Sequence, residues 1–482
     1  MRQRLVTPEN KKWWTLAAVS VGLFMIMLDN TVVNVALPSI RRSLNLSLAD
    51  LEWVVTGYAL TFAAFMLTGG KLADLLGRRL VFMAGLVVFT GASLACGLAP
   101  SGGFLITARV VQGLGGALMN PSTLSIITAT FPPRQRGTAI GIWAGVSAMA
   151  LAIGPLVGGL LTEHVNWNWI FFINVPVGVF GLLVTPVLVE ESRDTSLDQR
   201  PDAPGLAASG LGLFALTYAF IEANAYGWGS ARILAAFAIA AAALGAFVAL
   251  ETRQRTPMLD LSLFRNRTFS GANTAMLLVG LAMFGTFFYV SLYTQNVLGY
   301  SPVQAGAAFL PMTLLVMTIA PQAGRLSDRV GSRWLVGGGM TLLAAMLLYY
   351  SMLGANATFW NLLPALLIGG TGMALTMTPT TAAAMSSVPV DKAGVGSAVL
   401  NSMRQVGGSL GIAVMGAIVA SATASSLRAG DTQRIAFLHG FHDSLRIASA
   451  IALAGAIVAT AAIRTHAGHA REAEREHALE AA

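Results

Sequence analysis

Two ionisable residues interrupt long apolar segments of the sequence, where a charged side chain is unfavourable unless it is paired or neutral. Asp29 lies in the apolar segment 14–37, and Arg109 lies in the apolar segment 103–127. If both segments are membrane-spanning helices, counting from their outer ends places Asp29 roughly 12 Å deep and Arg109 roughly 10 Å deep. Because these depths agree, we expect the two side chains to face one cavity and to interact, directly or through water or a bound molecule.

Such a pair has the chemistry needed to carry a proton. Burial favours a neutral carboxyl group and a nearby arginine favours the carboxylate, so a change of surroundings can make the group gain or lose a proton. The alternative is a static buried ion pair with a structural role alone. Our hypothesis assigns proton coupling to Asp29 and Arg109.

The composition indicates which elements position this pair. The chain has 482 residues, of which 55% are hydrophobic and 11% are charged, whereas soluble domains carry about 25% charged residues. Apolar segments of about 18–25 residues are long enough to cross a bilayer as helices. We predict an all-α polytopic membrane protein with fourteen spans, at 14–37, 52–69, 80–99, 103–127, 138–161, 168–189, 204–223, 231–250, 269–293, 304–323, 334–353, 358–382, 395–420 and 445–463.

The distribution of basic residues predicts the orientation. With an even number of spans, most Lys and Arg residues fall in segments on the same side as both termini. Cytoplasmic loops are enriched in these residues. We therefore expect both termini in the cytoplasm of a cell-membrane protein, and the longest outer loop at 421–444.

A charged motif occurs twice between apolar segments. Residues 70–79 (GKLADLLGRR) and 324–333 (GRLSDRVGSR) share the pattern G-[KR]-L-[AS]-D-x-x-G-x-R, 254 positions apart. Repetition at a fixed offset is the signature of an internal duplication. We expect a loop that controls opening at the cytoplasmic side, with either acid capping the next helix or pairing with an arginine. The expected gating residues are Gly70, Asp74, Gly77, Arg78, Gly324, Asp328, Gly331 and Arg333.

The duplication also predicts the domain organisation. The motif follows span 2 and then span 10, so spans 7 and 8 are an insertion between two six-helix halves. The predicted units are 1–190, the insertion with its linkers at 191–268, 269–463, and a cytoplasmic tail at 464–482. By the same offset Met283 is the counterpart of Asp29, and Pro364 that of Arg109. We therefore place the proton chemistry in the first half alone, where Asp29 is the one acid evident at mid-depth.

Several motifs together resemble one transporter family. The charged motif resembles the loop between helices 2 and 3 of the major facilitator superfamily, and the other motifs resemble those of its fourteen-span drug:proton antiporters. These stretches are 28–38 (LDNTVVNVALP), 109–115 (RVVQGLG), 154–159 (GPLVGG) and 167–176 (WNWIFFINVP).

The resemblance implies two six-helix bundles that rock to expose a central site alternately to either side. It also implies export of drugs or antibiotics in exchange for protons. The antiporter motif would consist of Gly154, Pro155, Gly158 and Gly159, which give a kinked helix with a smooth face for close packing.

Other polar and aromatic residues in the spans are candidates for contact with a substrate. They are Asn34, Tyr58, Gln112, Trp143, Tyr289, Tyr293, Gln295 and Arg404. For Arg404, packing and substrate contact are equally favoured. Glu222, near the outer end of span 7, is a secondary acidic candidate, which we expect to be solvated at the interface. Lipophilic cations are plausible substrates because Asp29 could attract them.

The sequence disfavours other classes of function. It has no Walker A motif for ATP-driven export and no cluster of residues for catalysis. Scattered basic residues disfavour nucleic acid as a partner, and we expect no cofactor, no metal and a monomer in the bilayer. The partners would be protons and small molecules. An exporter of one endogenous metabolite, an importer of the same fold or a non-transporting receptor remains as an alternative.

Overall fold

The computed structural model describes residues 10–193, 202–254, 259, 261–388 and 393–464, and within these ranges regular structure is entirely helical. The helices are α1 (Lys11–Leu44), α2 (Leu48–Leu76), α3 (Arg78–Gly97), α4 (Gly102–Thr130), α5 (Pro133–His164), α6 (Trp169–Phe172), α7 (Asn174–Leu188), α8 (Ala203–Tyr226), α9 (Ala231–Arg253), α10 (Arg267–Leu292), α11 (Pro302–Ala308), α12 (Leu310–Val330), α13 (Ser332–Tyr350), α14 (Phe359–Ser386), α15 (Ala393–Arg428) and α16 (Gln433–Ala462). A short 3-10 turn precedes α10, and a π-helical turn, Tyr293–Val297, extends it.

The predicted spans coincide with these helices. In the described ranges, thirteen helices or pairs of consecutive helices are long and apolar enough to cross a membrane. The remaining predicted span, 334–353, corresponds to α13. The all-helical class is confirmed. The structure is consistent with fourteen crossings.

The two charged motifs are mostly helix, so their description as ten-residue loops is wrong. Residues 70–76 complete α2, residues 324–330 complete α12, and a single glycine separates each from the following helix. Gly77 has a φ of 122° and Gly331 a φ of 82°. Backbones with positive φ strain residues that carry a Cβ, so only glycine makes this one-residue turn at low cost.

The predicted outer loop at 421–444 is also wrong. α15 continues to Arg428 and α16 begins at Gln433. Two histidines of this region have hydrogen-bonding partners. His439 Nδ1 lies 3.0 Å from Ser426 Oγ, and His442 Nε2 lies 2.8 Å from the Leu353 carbonyl oxygen.

Helix boundaries repeat with the offset of the motif. Ser47 caps α2 in a box with Asp50, and 254 positions later Ser301 caps α11 in a box with Gln304. A capping box satisfies backbone N–H groups that the first helical turn leaves free. The duplication therefore extends from the motif to the start of its helix, although α11 and α12 together correspond to the single helix α2.

The first set of helices, α1–α7, meets the second set, α10–α16, along two interfaces. α2 packs on α15, and α5 packs on α11 and α12. The helices of the predicted insertion pair with each other, and α8 also packs on both α2 and α15. At the start of α8, Asp202 accepts hydrogen bonds from Gly205 N (2.9 Å) and Gln254 Nε2 (2.8 Å), which ties α8 to the end of α9. Burial raises the pKa of the Asp202 carboxyl, but these two hydrogen bonds, a third with Glu251 and the charge of Lys71 together hold the pKa below its ordinary value.

Candidate functional site

Asp29 and Arg109 form a buried ion pair. Asp29 Oδ2 accepts a hydrogen bond from an Arg109 guanidinium nitrogen at 2.5 Å. Their side chains are 0% and 1% exposed. The pair joins α1 to α4, as the agreement of the two depths predicts.

The guanidinium makes further contacts that fix its orientation. Arg109 Nε donates to the Val54 carbonyl oxygen of α2 at 3.0 Å, and another nitrogen donates to Gln112 Oε1 at 2.7 Å. Its central carbon lies 4.2 Å from the centre of the Tyr58 ring. The planar fork of arginine can make these contacts at once, whereas a lysine ammonium presents a single charged centre.

Two amides and a hydroxyl surround the other Asp29 oxygen. Gln112 Nε2 donates to Asp29 Oδ1 at 2.9 Å and to Ser93 Oγ at 2.7 Å. Asn174 Nδ2 lies 3.5 Å from Asp29 Oδ1 and 3.2 Å from Ser93 Oγ. Asp29, Arg109, Gln112, Ser93 and Asn174 are henceforth the Asp29 network.

The surroundings of Asp29 supply a counter-charge and hydrogen-bond donors. The carboxylate faces a guanidinium and two amide donors, all in an environment that excludes water. A buried charge is tolerated when it is paired and hydrogen-bonded. A conformational change that moved Arg109 away would remove the counter-charge of this carboxyl group.

Gly113 allows α4 to lie so close to α2 that Arg109 reaches the Val54 carbonyl oxygen. A Cβ on Gly113 would overlap the Tyr58 carbonyl oxygen and lie 3.1 Å from Thr61 Cβ. Small residues allow such backbone approach between membrane helices. The position of the network therefore depends on this packing as well as on its polar contacts.

The antiporter motif of α5 packs in two directions. Cβ atoms on Gly154 and Gly158 would overlap α1, at Thr31 and at the Val32 carbonyl oxygen. One on Gly159 would lie 2.5 Å from the Pro302 carbonyl oxygen of α11. The Pro155 carbonyl in turn lies against Gly306 of α11. The expected smooth face is thus present, and it holds α1 near Asp29 as well as meeting the other set of helices.

In the first charged motif, Asp74 pairs with the nearby Arg78, and among the described side chains no more distant arginine forms an ion pair with it. Arg78 Nε donates to Asp74 Oδ1 at 3.0 Å. Asp74 does not cap α3. Glu191 does so, by accepting from the amides of Arg79 and Leu80 at 3.1 Å each. Negative charge at a helix N-terminus is favourable.

The second motif differs in its side-chain contacts. Ser327 Oγ and Ser332 Oγ lie 2.7 Å apart across Gly331. The Arg333 guanidinium lies over the Trp334 ring at 5.0 Å. Gly324, within α12, would place a Cβ 3.2 Å from Thr378 of α14. The Asp328 side chain lies outside the described part of the structure.

The predicted substrate residues separate into different places. Tyr58 lies under Arg109, and Gln112 belongs to the Asp29 network. Trp143 is partly buried and donates to Thr123 Oγ1 at 2.9 Å. Tyr293 donates to the Gly354 carbonyl oxygen at 2.7 Å and stacks on Phe441, inside the second set of helices.

Two other candidates lie where the two sets of helices meet. Gln295 Nε2 donates to the Val35 carbonyl oxygen at 2.9 Å. The Asn34 carbonyl oxygen accepts from Ser291 Oγ at 2.7 Å. Both contacts join α1 to α10 or to its π-helical extension, at the predicted extracellular end.

The charged candidates outside the network have polar partners. Arg404 is partly buried and donates to Asn401 Oδ1 at 3.5 Å, with no ion pair to another described residue. Glu222 is partly buried and accepts from Trp53 Nε1 at 3.3 Å. Glu222 is thus both partly exposed and hydrogen-bonded to α2, and its expected place as a solvated acid at the interface stays a prediction.

The structure contains polar residues that sequence reasoning missed. Ser93 and Asn174 complete the Asp29 network, and Glu191 caps α3. Asn174 stood within the quoted 167–176 motif, so its polarity in an apolar span was a usable signal. Glu52, 3% exposed, is a second buried acid whose carboxyl accepts from Tyr289 Oη at 2.7 Å. An acid inside a predicted span was itself a sufficient signal.

A separate cleft lies away from the network. It has a volume of about 640 Å³ and is open to the outside. Its walls are α8, α15 and α16, with Phe220, Val414 and Ile447 among the apolar residues and Asp443 and Arg446 among the charged ones. None of its lining residues belongs to the Asp29 network.

Comparison with known proteins decides the family. The model of the Major Facilitator Superfamily matches residues 19–412. This chain belongs to the major facilitator superfamily. It is accordingly a multi-pass membrane transport protein that acts on small molecules, and not an enzyme.

Individual relatives agree with this assignment. The tetracenomycin C resistance and export protein of Streptomyces glaucescens is 39% identical over 411 residues, covering 85% of this chain and 76% of the relative. The puromycin resistance protein of Streptomyces alboniger is 36% identical over 461 residues, covering 95% and 91%. The predicted family is confirmed.

Solved structures agree with the fold. A bacterial homologue of the human lysosomal transporter Spinster, in an inward-facing and unoccupied conformation, matches with a TM-score of 0.68. It is 19% identical, and the match covers 95% of this chain and 98% of that one. The major facilitator fold is thereby shown.

Proposed function

We propose that this transporter exports small, mostly lipophilic drugs or antibiotics in exchange for protons. The observation that carries this proposal is the buried Asp29–Arg109 pair inside its network of amides and hydroxyls. A charged pair at this depth is unfavourable in a bilayer, so its retention suggests a function. No cofactor is needed, because the proton gradient would supply the energy.

The direction of transport is inferred from relatives and from α5. The two relatives described above are named for resistance or export. The glycine face of α5 supports the same direction by analogy with the antiporter motif. The names of these relatives and the motif of α5 disfavour the alternative that this chain is an importer of the same fold.

The contacts between the helix sets suggest a transport state. Val303 N donates to Glu163 Oε2 at 2.8 Å, and this bond lies at the same end as the Gln295–Val35 contact. We infer that the two halves are closed at the extracellular end in this structure. Asp74, which here pairs with Arg78, would be released to form a contact across the halves when the cytoplasmic end closes.

Efflux from membrane vesicles tests the proposal. Puromycin and a set of lipophilic cationic dyes would be followed with and without a pH gradient. Transport by the wild type should depend on the gradient, and Asp29→Asn should abolish the gradient-dependent part because the amide cannot gain and lose a proton. Asp443→Asn is the matched control, since this acid is half exposed and pairs with the exposed Arg446.

The outcome separates the alternatives. Full gradient-dependent efflux by Asp29→Asn would refute the assignment of the proton site. Failure of every antibiotic and dye to be moved by the wild type would favour the exporter of a specific metabolite, or a receptor that does not transport.

A further inference from the structure

Glu52 forms a contact between the two sets of helices. It is the fifth residue of α2, and its carboxyl accepts a 2.7 Å hydrogen bond from Tyr289 of α10. Both side chains are buried, at 3% and 0% exposure. A Cβ on Gly416 of α15 would overlap the same carboxyl group, so α15 closes over it. Opening this end would separate α2 from both helices and expose Glu52 to water.

The groups around Glu52 do not supply a positive charge. From α8, Glu222 reaches Trp53, whose ring also packs against Tyr218. From α4, Arg109 directs its nitrogens to Asp29, Gln112 and the Val54 carbonyl. Among the described residues, Glu52 takes part in no ion pair.

α15 brings no cation to this point either. Its residue against the carboxyl is Gly416, and Arg404 and Arg428 lie twelve positions before and after that glycine, each roughly 18 Å along a helix. A buried carboxylate with one hydroxyl donor and no counter-ion is strongly unfavourable. A neutral carboxyl, which keeps the bond from Tyr289, suits this environment.

The internal repeat makes Glu52 distinctive. Adding the offset of 254 to residue 52 gives Gly306, which is likewise the fifth residue of its helix, α11. Gly306 packs directly on the Pro155 carbonyl of α5, so that interface is closed by backbone contact. At the α2–α15 interface the corresponding position carries an acid. The α5–α11 interface has its own acid, Glu163, which is exposed and accepts from Val303 N at 2.8 Å, but the position related to Glu52 is a glycine.

We propose that Glu52 is a second proton-binding residue of the transport cycle, and that the two halves close at the predicted extracellular end only when it is protonated. This inference rests on the proposed alternation of access. In the open state the carboxylate takes a proton from extracellular water, forming an O–H bond. When the interface opens again, that proton returns to the same water, and the transported proton is left to Asp29.

The inserted helix α8 strengthens the same contact. Asn224 Nδ2 donates to the Ala417 carbonyl oxygen of α15 at 2.8 Å, next to Gly416, while Glu222 holds Trp53 of α2. α8 therefore bridges α2 and α15 beside Glu52. The closed interface is thus stabilised on its outer side by hydrogen bonds from α8 to both helices.

Distance measurements between spin labels at the extracellular end test this proposal. Labels on Gly103→Cys and Trp360→Cys would report opening, because both positions are exposed near the outer ends of helices in opposite sets. In the wild type, acid pH should favour the short distance and alkaline pH the long one. Glu52→Gln, an uncharged mimic of the protonated acid, should keep the short distance throughout. Asp50→Asn, on the same helix, is the control and should behave as wild type.

A second variant covers the case in which Glu52→Gln does not fold. Tyr289→Phe removes one bond from the closed, protonated state, so more acid is needed to populate it. The midpoint of the pH-dependent change should therefore move to lower pH. A wild-type pH dependence in Glu52→Gln, or an unmoved midpoint in Tyr289→Phe, would overturn the proposal.

The distance measurement is independent of the proposed proton exchange at Asp29. Asp29→Asn should lose gradient-driven efflux yet keep the pH-dependent distance change. Wild-type vesicles could show no efflux while the distance between the labels changes with pH in the wild type and not in Glu52→Gln. The proposed function would then fail, and this inference would stand.

Discussion

Arg109 is the residue through which three helices meet. It holds Asp29 of α1, Gln112 of its own helix and the Val54 carbonyl of α2. The Tyr58 ring lies beneath the guanidinium. Movement of any one of these helices would therefore alter the environment of Asp29, which is the property that a proton-coupling site requires.

A double-mutant cycle should separate the stability of this pair from its function. Removal of one partner leaves an uncompensated buried charge, so Asp29→Leu and Arg109→Leu should each destabilise the protein by about 3–5 kcal/mol. The double variant should be closer in stability to the wild type. Thermal unfolding in detergent would measure this, and all three variants should lack gradient-dependent efflux.

Two results of the double-mutant cycle would contradict this interpretation. If the double variant regained both stability and efflux, the pair would be a structural element without a role in coupling. If the two single effects simply added, Asp29 and Arg109 would contribute independently and the pair would not be a single energetic unit.

Sequence reasoning found part of this site for a physical reason. The fixed rise of a helix gives the depth of Asp29 and Arg109, and Gln112, three residues after Arg109, lies on the same helical face. Asn174 offered a polar signal in its motif, but the contacts of Ser93 and Asn174 with Asp29 could not be predicted, because packing sets the rotation of α3 and α7 about their axes. Glu52 was missed although its acid in a predicted span was a signal, whereas its bond to Tyr289 could not be predicted, because no local pattern relates residues so far apart in the chain.

Glycine contacts set the geometry between elements. Gly113 allows α4 to touch the backbone of α2 at Tyr58. A Cβ on Gly103, in the first turn of the same helix, would meet no neighbouring group of the described structure within 4 Å. The same residue type thus has opposite consequences at two positions of one helix.

The substitution of each glycine by alanine should show this difference. Gly113→Ala should lower the melting temperature and efflux together, since α2 and α4 must separate and Arg109 would lose the Val54 carbonyl. Gly103→Ala should leave both unchanged, or raise stability slightly because alanine favours helix by up to about 1 kcal/mol. Equal effects at the two positions would contradict the packing argument.

Helix positions followed from apolar length, but helix ends did not. The charged motifs were predicted as loops because charged residues and glycines break apolar runs. They instead continue α2 and α12, since a helix may extend beyond the apolar region. For the same reason α15 and α16 extend into the residues predicted as an outer loop. Hydropathy locates the apolar region, whereas backbone hydrogen bonds decide where the helix ends.

At the scale of the whole molecule, two related interfaces differ in chemistry. At the α5–α11 interface Gly306 packs on the Pro155 carbonyl and the exposed Glu163 accepts from Val303 N, whereas the α2–α15 interface contains the buried Glu52 beside Gly416. The Asp29 network lies on one side of α2, joined to it through the Val54 carbonyl. α2 therefore connects the site assigned to proton coupling with the interface whose opening we infer to depend on Glu52.

The most direct test of the account is proton movement driven by substrate. Purified protein in sealed liposomes with a trapped pH-sensitive dye would receive an outward-directed gradient of a substrate found in the vesicle assay. Exchange predicts that protons move opposite to the substrate for the wild type and for Asp443→Asn, and not for Asp29→Asn. Substrate movement without opposite proton movement in the wild type would contradict the central claim.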